Sequence, residues 1–191
     1  MGFLWELLLL GLLPVVLCVH DLVTSCVAGA KGKHCITRPP DCLSTPKTCT
    51  QVAAISVGAA GNLHIDIRAK GPLRNRWVGL AFSDDDHMGN DGVIHCVQND
   101  TTAVALLTYN MEHKNIGTVG VDQKYLHPLD LKAEDDSLHC SVDLDRKFKI
   151  KSQEFDLSSP HYLLFATGPV RAGKIVPHDK NPIVSTDAYS F

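Results

Sequence analysis

The stretch Ser83-Asp84-Asp85-Asp86-His87-Met88-Gly89-Asn90-Asp91-Gly92 sets a methionine among carboxylates, a histidine and glycines, directly after the apolar run Trp77-Val78-Gly79-Leu80-Ala81-Phe82. A methionine in such company does not extend a continuous apolar face. Three kinds of chemistry suit the segment. Asp84, Asp85, Asp86 and Asp91 supply hard oxygens for calcium, although the i, i+2, i+4 ligand spacing closed by a glutamate is absent. A solvated turn needs only these residue types. The third possibility is a turn that projects a thioether into a pocket. Near the other end, Gly173-Lys174-Ile175-Val176-Pro177-His178-Asp179 places a histidine just after a proline, which holds the backbone rigidly and suits a ligand. The chain has ten histidines, so His178 equally fits an ordinary exposed or hydrogen-bonded residue.

The elements that must position these residues read as strands. In Leu63-His64-Ile65-Asp66-Ile67-Arg68 the apolar side chains share one face and the polar ones the other, the period-two pattern of a half-buried strand. The same alternation recurs at residues 138–144 and at Phe148-Lys149-Ile150. Residues 77–82, 93–97, 103–109 and 162–166 are instead continuously apolar, which suits strands buried on both faces or lining a pocket. Turn residues fall between them at Gly61-Asn62, Lys70-Gly71-Pro72, residues 88–92, Gly168-Pro169 and Arg171-Ala172-Gly173. Short strands at this spacing predict an all-β, antiparallel sandwich. No internal repeat, low-complexity stretch or amphipathic helix after the leader is legible.

Residues 1–18 read as a leader for export. The run from Leu7 to Val19 is apolar apart from Gly11 and Pro14, and falls short of the roughly 20 residues of a membrane span. Cleavage is expected near Cys18, with Val23-Thr24-Ser25 as the second place. Residues 19–50 then form a Cys-rich segment and residues 51–191 the sandwich, so the expected location is secreted. The formal charge of −3 becomes −2 once Glu6 leaves with the leader, which argues against a nucleic-acid partner. Of seven cysteines, loss of Cys18 leaves Cys26, Cys35, Cys42, Cys49, Cys96 and Cys140, an even number that predicts three disulfides in an exported protein. The first four would staple the N-terminal segment to itself or to the first strand, and the last two would pair across the sheet. The connectivity stays open. Asn99-Asp100-Thr101 is a glycosylation acceptor that would put Asn99 at the surface.

Taken together, these segments resemble the DOMON domain as it occurs in ferric-chelate reductases. The resemblance runs through Cys26, Gly29, Lys31 and Cys35, then Pro39, Pro40 and Cys42, the strand and turn from Trp77 to Asp84, and the tail from Tyr162 to Pro169 with Gly173-Lys174-Ile175 and His178. Its most specific part is the Ser-Asp-Asp-x-x-Met-Gly turn paired with a late histidine. The resemblance implies an immunoglobulin-like antiparallel β-sandwich. It also implies the haem b of the cytochrome branch, with Met88 and His178 as axial ligands, strands 77–82, 103–109 and 162–166 as walls, and Lys174, Arg171 or Arg76 near a propionate. His87 and His95 lie near enough in sequence to compete with Met88. Asn90-Asp91-Gly92 replaces the further acidic residues of the family pattern and would loosen the turn.

Two functions are therefore expected from different classes. One is a haem b electron-transfer domain exchanging electrons with a transmembrane b-type cytochrome or a small reductant such as ascorbate, in a ferric-reductase-like system and without enzyme activity of its own. The other is a haem-free module that recognises a protein, a sugar or a phenolic ligand.

Overall fold

The structure is a computed structural model that describes residues 19–27, 32–71, 74–100, 102–134 and 136–191. The expected leader, Gly29 and Lys31 of the N-terminal pattern, Pro72 of one expected turn and Thr101 of the glycosylation triplet lie outside them. Alternating and continuous apolar runs both became strands, and every pairing among them is antiparallel. One sheet runs β1 (Lys33–Arg38), β2 (Gln51–Val57), β3 (Leu63–Lys70), β9 (Ser137–Leu144) and β8 (Leu126–Glu134) in that spatial order. The other runs β13 (Lys174–Ile175), β12 (Tyr162–Arg171), β4 (Arg76–Ser83), β5 (Gly92–Asn99), β6 (Thr102–Met111) and β7 (Lys114–Asn115), with β14 (Ile183–Val184) also pairing with β12. A separate hairpin joins β10 (Lys147–Ile150) to β11 (Gln153–Asp156). This is the predicted β-sandwich.

Its core is the layer between the two large sheets. Leu63, Ile65 and Ile67 of β3 and Leu138, Val142 and Leu144 of β9 meet Val78, Leu80 and Phe82 of β4, Ile94 of β5, Leu107 of β6 and Leu163 and Phe165 of β12. Full burial of each such side chain contributes about 1.5–3 kcal/mol. Cys96 of β5 and Cys140 of β9 lie fully buried in this layer and are bonded to each other, so the disulfide joins the two sheets. The other pairs are Cys26–Cys35 and Cys42–Cys49, which staple the N-terminal segment as the cysteine spacing suggested.

Two N-terminal elements go beyond the sequence reading. Val19–Val27 forms a helix, α1, where none was expected. Nine residues are too few to be helical alone; tertiary contacts hold them. Leu22 and Val23 are buried against Cys42, Cys49, Val52 and Ala54, on the face of the first sheet away from the core, and Cys26 is tied to β1. Cleavage after Ser25 would remove the Leu22 and Val23 contacts and leave Cys26 with its disulfide. β1 itself pairs with β2 over its whole length, from Lys33↔Ser56 to Arg38↔Gln51. No helix among the described residues is long and apolar enough to cross a membrane.

Candidate functional site

Strands β4, β5 and β12 are apolar on both faces for two separate reasons. Alternate residues point into the core, while the others line a cavity on the outer face of the second sheet. Trp77, Gly79 and Ala81 of β4, Val93 and His95 of β5, and Leu164 and Ala166 of β12 form its floor and walls. Met88, Asn110, His178 and Pro182 complete it. Thus the two segments that carried the predicted chemistry, some 90 residues apart in sequence, reach one cavity. Met88 is half-buried, packed against the cluster of Ala81, Val93 and Leu164, while His178 is exposed at the rim.

The turn that presents Met88 is buckled from within. The Ser83 hydroxyl donates to the His87 carbonyl at 3.2 Å, and the His87 amide donates to Asp85 Oδ1 at 2.8 Å. Asp91 is fully buried; its Oδ2 accepts from the Gly89 amide at 2.9 Å and from Asn110 Nδ2 at 3.1 Å. Burial pushes the Asp91 carboxyl up from its ordinary value, against the opposing pull of hydrogen bonds from Ser83, Asn110 and Gly89. Asn90 sits in the left-handed region at φ 58°, which asparagine tolerates, and its side chain accepts from the Tyr109 hydroxyl at 3.1 Å. A Cβ on Gly92 would lie 2.9 Å from the Phe148 ring. The residues expected to loosen the turn are therefore the ones that fasten it. Asp85 and Asp86 stay exposed with His87, whose Nδ1 lies 2.5 Å from Asp86 Oδ1, away from the cavity.

His178 is carried by a strap, residues 176–182, that runs along the edge of β12 between β13 and β14, where the Asp179 amide donates to the Thr167 carbonyl at 3.4 Å. Trp77 Nε1 donates to the Val176 carbonyl at 3.0 Å, Arg76 pairs with Asp179 at 2.7 Å, and Arg38 donates to the Asn181 carbonyl at 2.8 Å. The Arg76 hydrogen bond holds the Asp179 carboxyl below the usual carboxylate range. Arg76 thus anchors the strap. Arg171 and Lys174 face one another across the exposed β12–β13 turn, and none of these three cations lines the cavity. The expected wall at 103–109 is also displaced: Ala105, Leu107 and Tyr109 turn into the core, and β6 contributes Asn110 to the cavity instead.

His95 is the residue sequence reading undervalued. It was a competitor for Met88 by proximity alone; the structure puts it on the cavity floor, 3% exposed, with its ring edge-on to Trp77 at 4.8 Å. The absence of a Cβ at Gly79 makes room for it, since one would meet the His95 ring at 3.1 Å. Its Nδ1 lies 2.9 Å from Thr108 Oγ1, and burial lowers its pKa to about 3, so the imidazole is neutral. A signal was present: Cys96 faces the core to form its disulfide, so its strand neighbour must face the other way.

A model of the DOMON domain family matches residues 50–168 of the chain. This protein belongs to the DOMON family. The match includes the Met88 turn and ends before the strap that carries His178. The DOMON chain is 24% identical over 160 residues to mouse ferric-chelate reductase 1, covering 83% of this chain and 26% of that protein. Human ferric-chelate reductase 1 is 22% identical over 157 residues, covering 82% and 26%. The chain thus spans about a quarter of the length of these relatives. Among solved structures, the cytochrome domain of Myriococcum thermophilum cellobiose dehydrogenase superposes with a TM-score of 0.55 over 71% of this chain and 73% of that one, at 10% identity. That likeness is one of fold.

The donor set of this DOMON cavity, a thioether and an imidazole on separate segments, is of the kind that holds haem iron, and Ala81 and Ala166 make part of the lining small. The cavity measures ≈ 50 Å³, against roughly 300–1,000 Å³ for small-molecule and cofactor sites. A porphyrin would need a wider cavity than this one. Asn99 is exposed at the end of β5, as the glycosylation triplet requires.

Proposed function

We propose that this DOMON domain is an extracellular haem b-binding module for one-electron transfer, with Met88 and His178 as axial ligands. The observation that carries the reading is that these two residues, from segments far apart in sequence, line one apolar cavity. Bound haem would supply a one-electron couple, shifted towards ferrous iron by a thioether ligand. The chain's own residues do the rest. The Asp91–Gly89–Asn110 hydrogen bonds hold the turn that carries Met88, and the Arg76–Asp179 pair with the Trp77–Val176 bond holds the strap that carries His178. Trp77, Val93 and Leu164 give the cavity its apolar lining. The leader at residues 1–18 would deliver the protein to the exterior, where the disulfides persist and Asn99 is open to glycosylation. Its redox partner would be a membrane b-type cytochrome or a small reductant such as ascorbate, and iron(III) reduction the process served, by likeness to the named reductases.

Protein produced with ample haem should show sharp low-spin bands after dithionite reduction, and Met88→Ala or His178→Ala should abolish or shift them. A preparation that stays colourless would overturn the reading. A second reading draws on the small size of the cavity: a haem-free module that recognises a protein, a sugar or a phenolic ligand. Partner or glycan binding that is unchanged in the Met88→Ala protein would favour it.

A further inference from the structure

We propose that, without haem, the same cavity is a copper(I) site in which His95 is the third donor beside Met88 and His178. All three side chains line a space of ≈ 50 Å³. That exceeds the roughly 10–15 Å³ a single water occupies on this measure, and lies far below the volume of an organic-ligand pocket. Its size suits one ion. The donors are a thioether and two imidazoles, with no carboxylate among the lining residues. Soft and borderline donors of this kind select Cu(I), whereas calcium and magnesium need oxygens. Asn110, the other polar lining residue, is already engaged, donating to Asp91 at 3.1 Å and accepting from Asn115 at 2.9 Å. Because all three donors are neutral, the site keeps the charge of the ion itself. Burial costs less for one unit of charge than for the two of Zn(II) or Cu(II).

His95 is built for this role. Thr108 Oγ1 accepts from Asn115 Nδ2 at 2.9 Å and directs its own proton to the Val93 carbonyl at 3.4 Å, which leaves it to accept from His95 Nδ1 at 2.9 Å. In this tautomer, assigned from the hydrogen-bond network, Nε2 carries the free lone pair. That edge of the ring lies over Gly79, on the cavity floor. A metal-binding imidazole whose other nitrogen donates to a fixed acceptor is the usual outer-shell arrangement. Trp77 packs against the ring and fixes its orientation.

The test is an anaerobic competition between haem-free protein and bicinchoninate for Cu(I), read by the colour of the copper–bicinchoninate complex. The protein should withdraw one equivalent of Cu(I) and leave Ca(II) and Zn(II) bound more weakly. His178→Ala, on the exposed strap, and Met88→Leu should weaken Cu(I) binding, and Thr108→Val should do so by about 10–100-fold. His95→Gln should lose the copper, since it removes the buried donor on the cavity floor. Wild-type protein that withdraws no Cu(I), or His95→Gln or His178→Ala variants that bind it unchanged, would overturn the proposal. The haem reading fails separately, on a colourless wild-type protein.

Discussion

At the scale of single residues, the buried imidazole of His95 has a consequence for stability. Its folded pKa of about 3 lies below the ordinary 6.5, so folding favours the neutral ring. The stability it contributes is complete above pH 6.5 and is lost as pH falls from there towards 3. The slope from one such group reaches about 1.4 kcal/mol per pH unit. In metal-free protein, urea midpoints should therefore fall steeply through this window for the wild type and more gently for His95→Gln. Parallel curves for the two proteins would mean that another group carries the acid sensitivity. Asp91 acts in the opposite sense: its raised pKa gives stability below the ordinary carboxylate value near 3.8 that is lost as pH rises. That the turn needed Asp91 buried was not legible, because an aspartate among glycines reads as solvated unless the partners Gly89 and Asn110 are known to converge on it.

At the scale of elements, the turn and the strap are loops only in sequence. Each is sewn to strands by hydrogen bonds and close contacts that period-two reading does not reveal. Gly92 is the sharpest instance, since its hydrogen side packs against Phe148 of β10, a strand more than fifty residues on. Gly92→Ala should destabilise the protein by about 1–3 kcal/mol through overpacking, measured as a shift in denaturant midpoint. A neutral effect would show that the hairpin yields freely. Of the continuous apolar runs, residues 77–82, 93–97 and 162–166 are double-sided and lend their second side to the cavity, whereas Val104 in the run 103–109 is exposed. The helix α1 escaped notice because its nine residues are helical only through what they pack on.

At the scale of the whole molecule, the sandwich is joined by a disulfide between its sheets. Cys96 and Cys140 are 44 residues apart. Closing a loop of that length in the unfolded chain contributes about 4 kcal/mol on the chain-entropy model, against about 2.5 for the seven-residue separation of Cys42 and Cys49. Replacing Cys96 and Cys140 together by alanine should thus cost more stability than replacing Cys42 and Cys49, in thermal or denaturant unfolding of otherwise intact protein. The reverse order would show that the N-terminal staple, with α1 packed on it, matters more to the fold than the link between sheets.

Composition and periodicity alone determined the fold class, the strand-rich core, the cysteine framework and the two segments that hold Met88 and His178. These are local properties: a strand's faces, a turn's residues and a cysteine count are written in neighbouring positions. Only tertiary structure decided which cysteines pair, that β1 and α1 belong to the first sheet's layers, that Asn90, Asp91 and Gly92 tighten the Met88 turn, and that His95 joins the cavity. Each of these depends on pairing register and on contacts between residues distant in the chain. One face of β5 is chosen for the core by a disulfide partner 44 residues away, and that choice turns His95 outward to the floor shared by Met88 and His178.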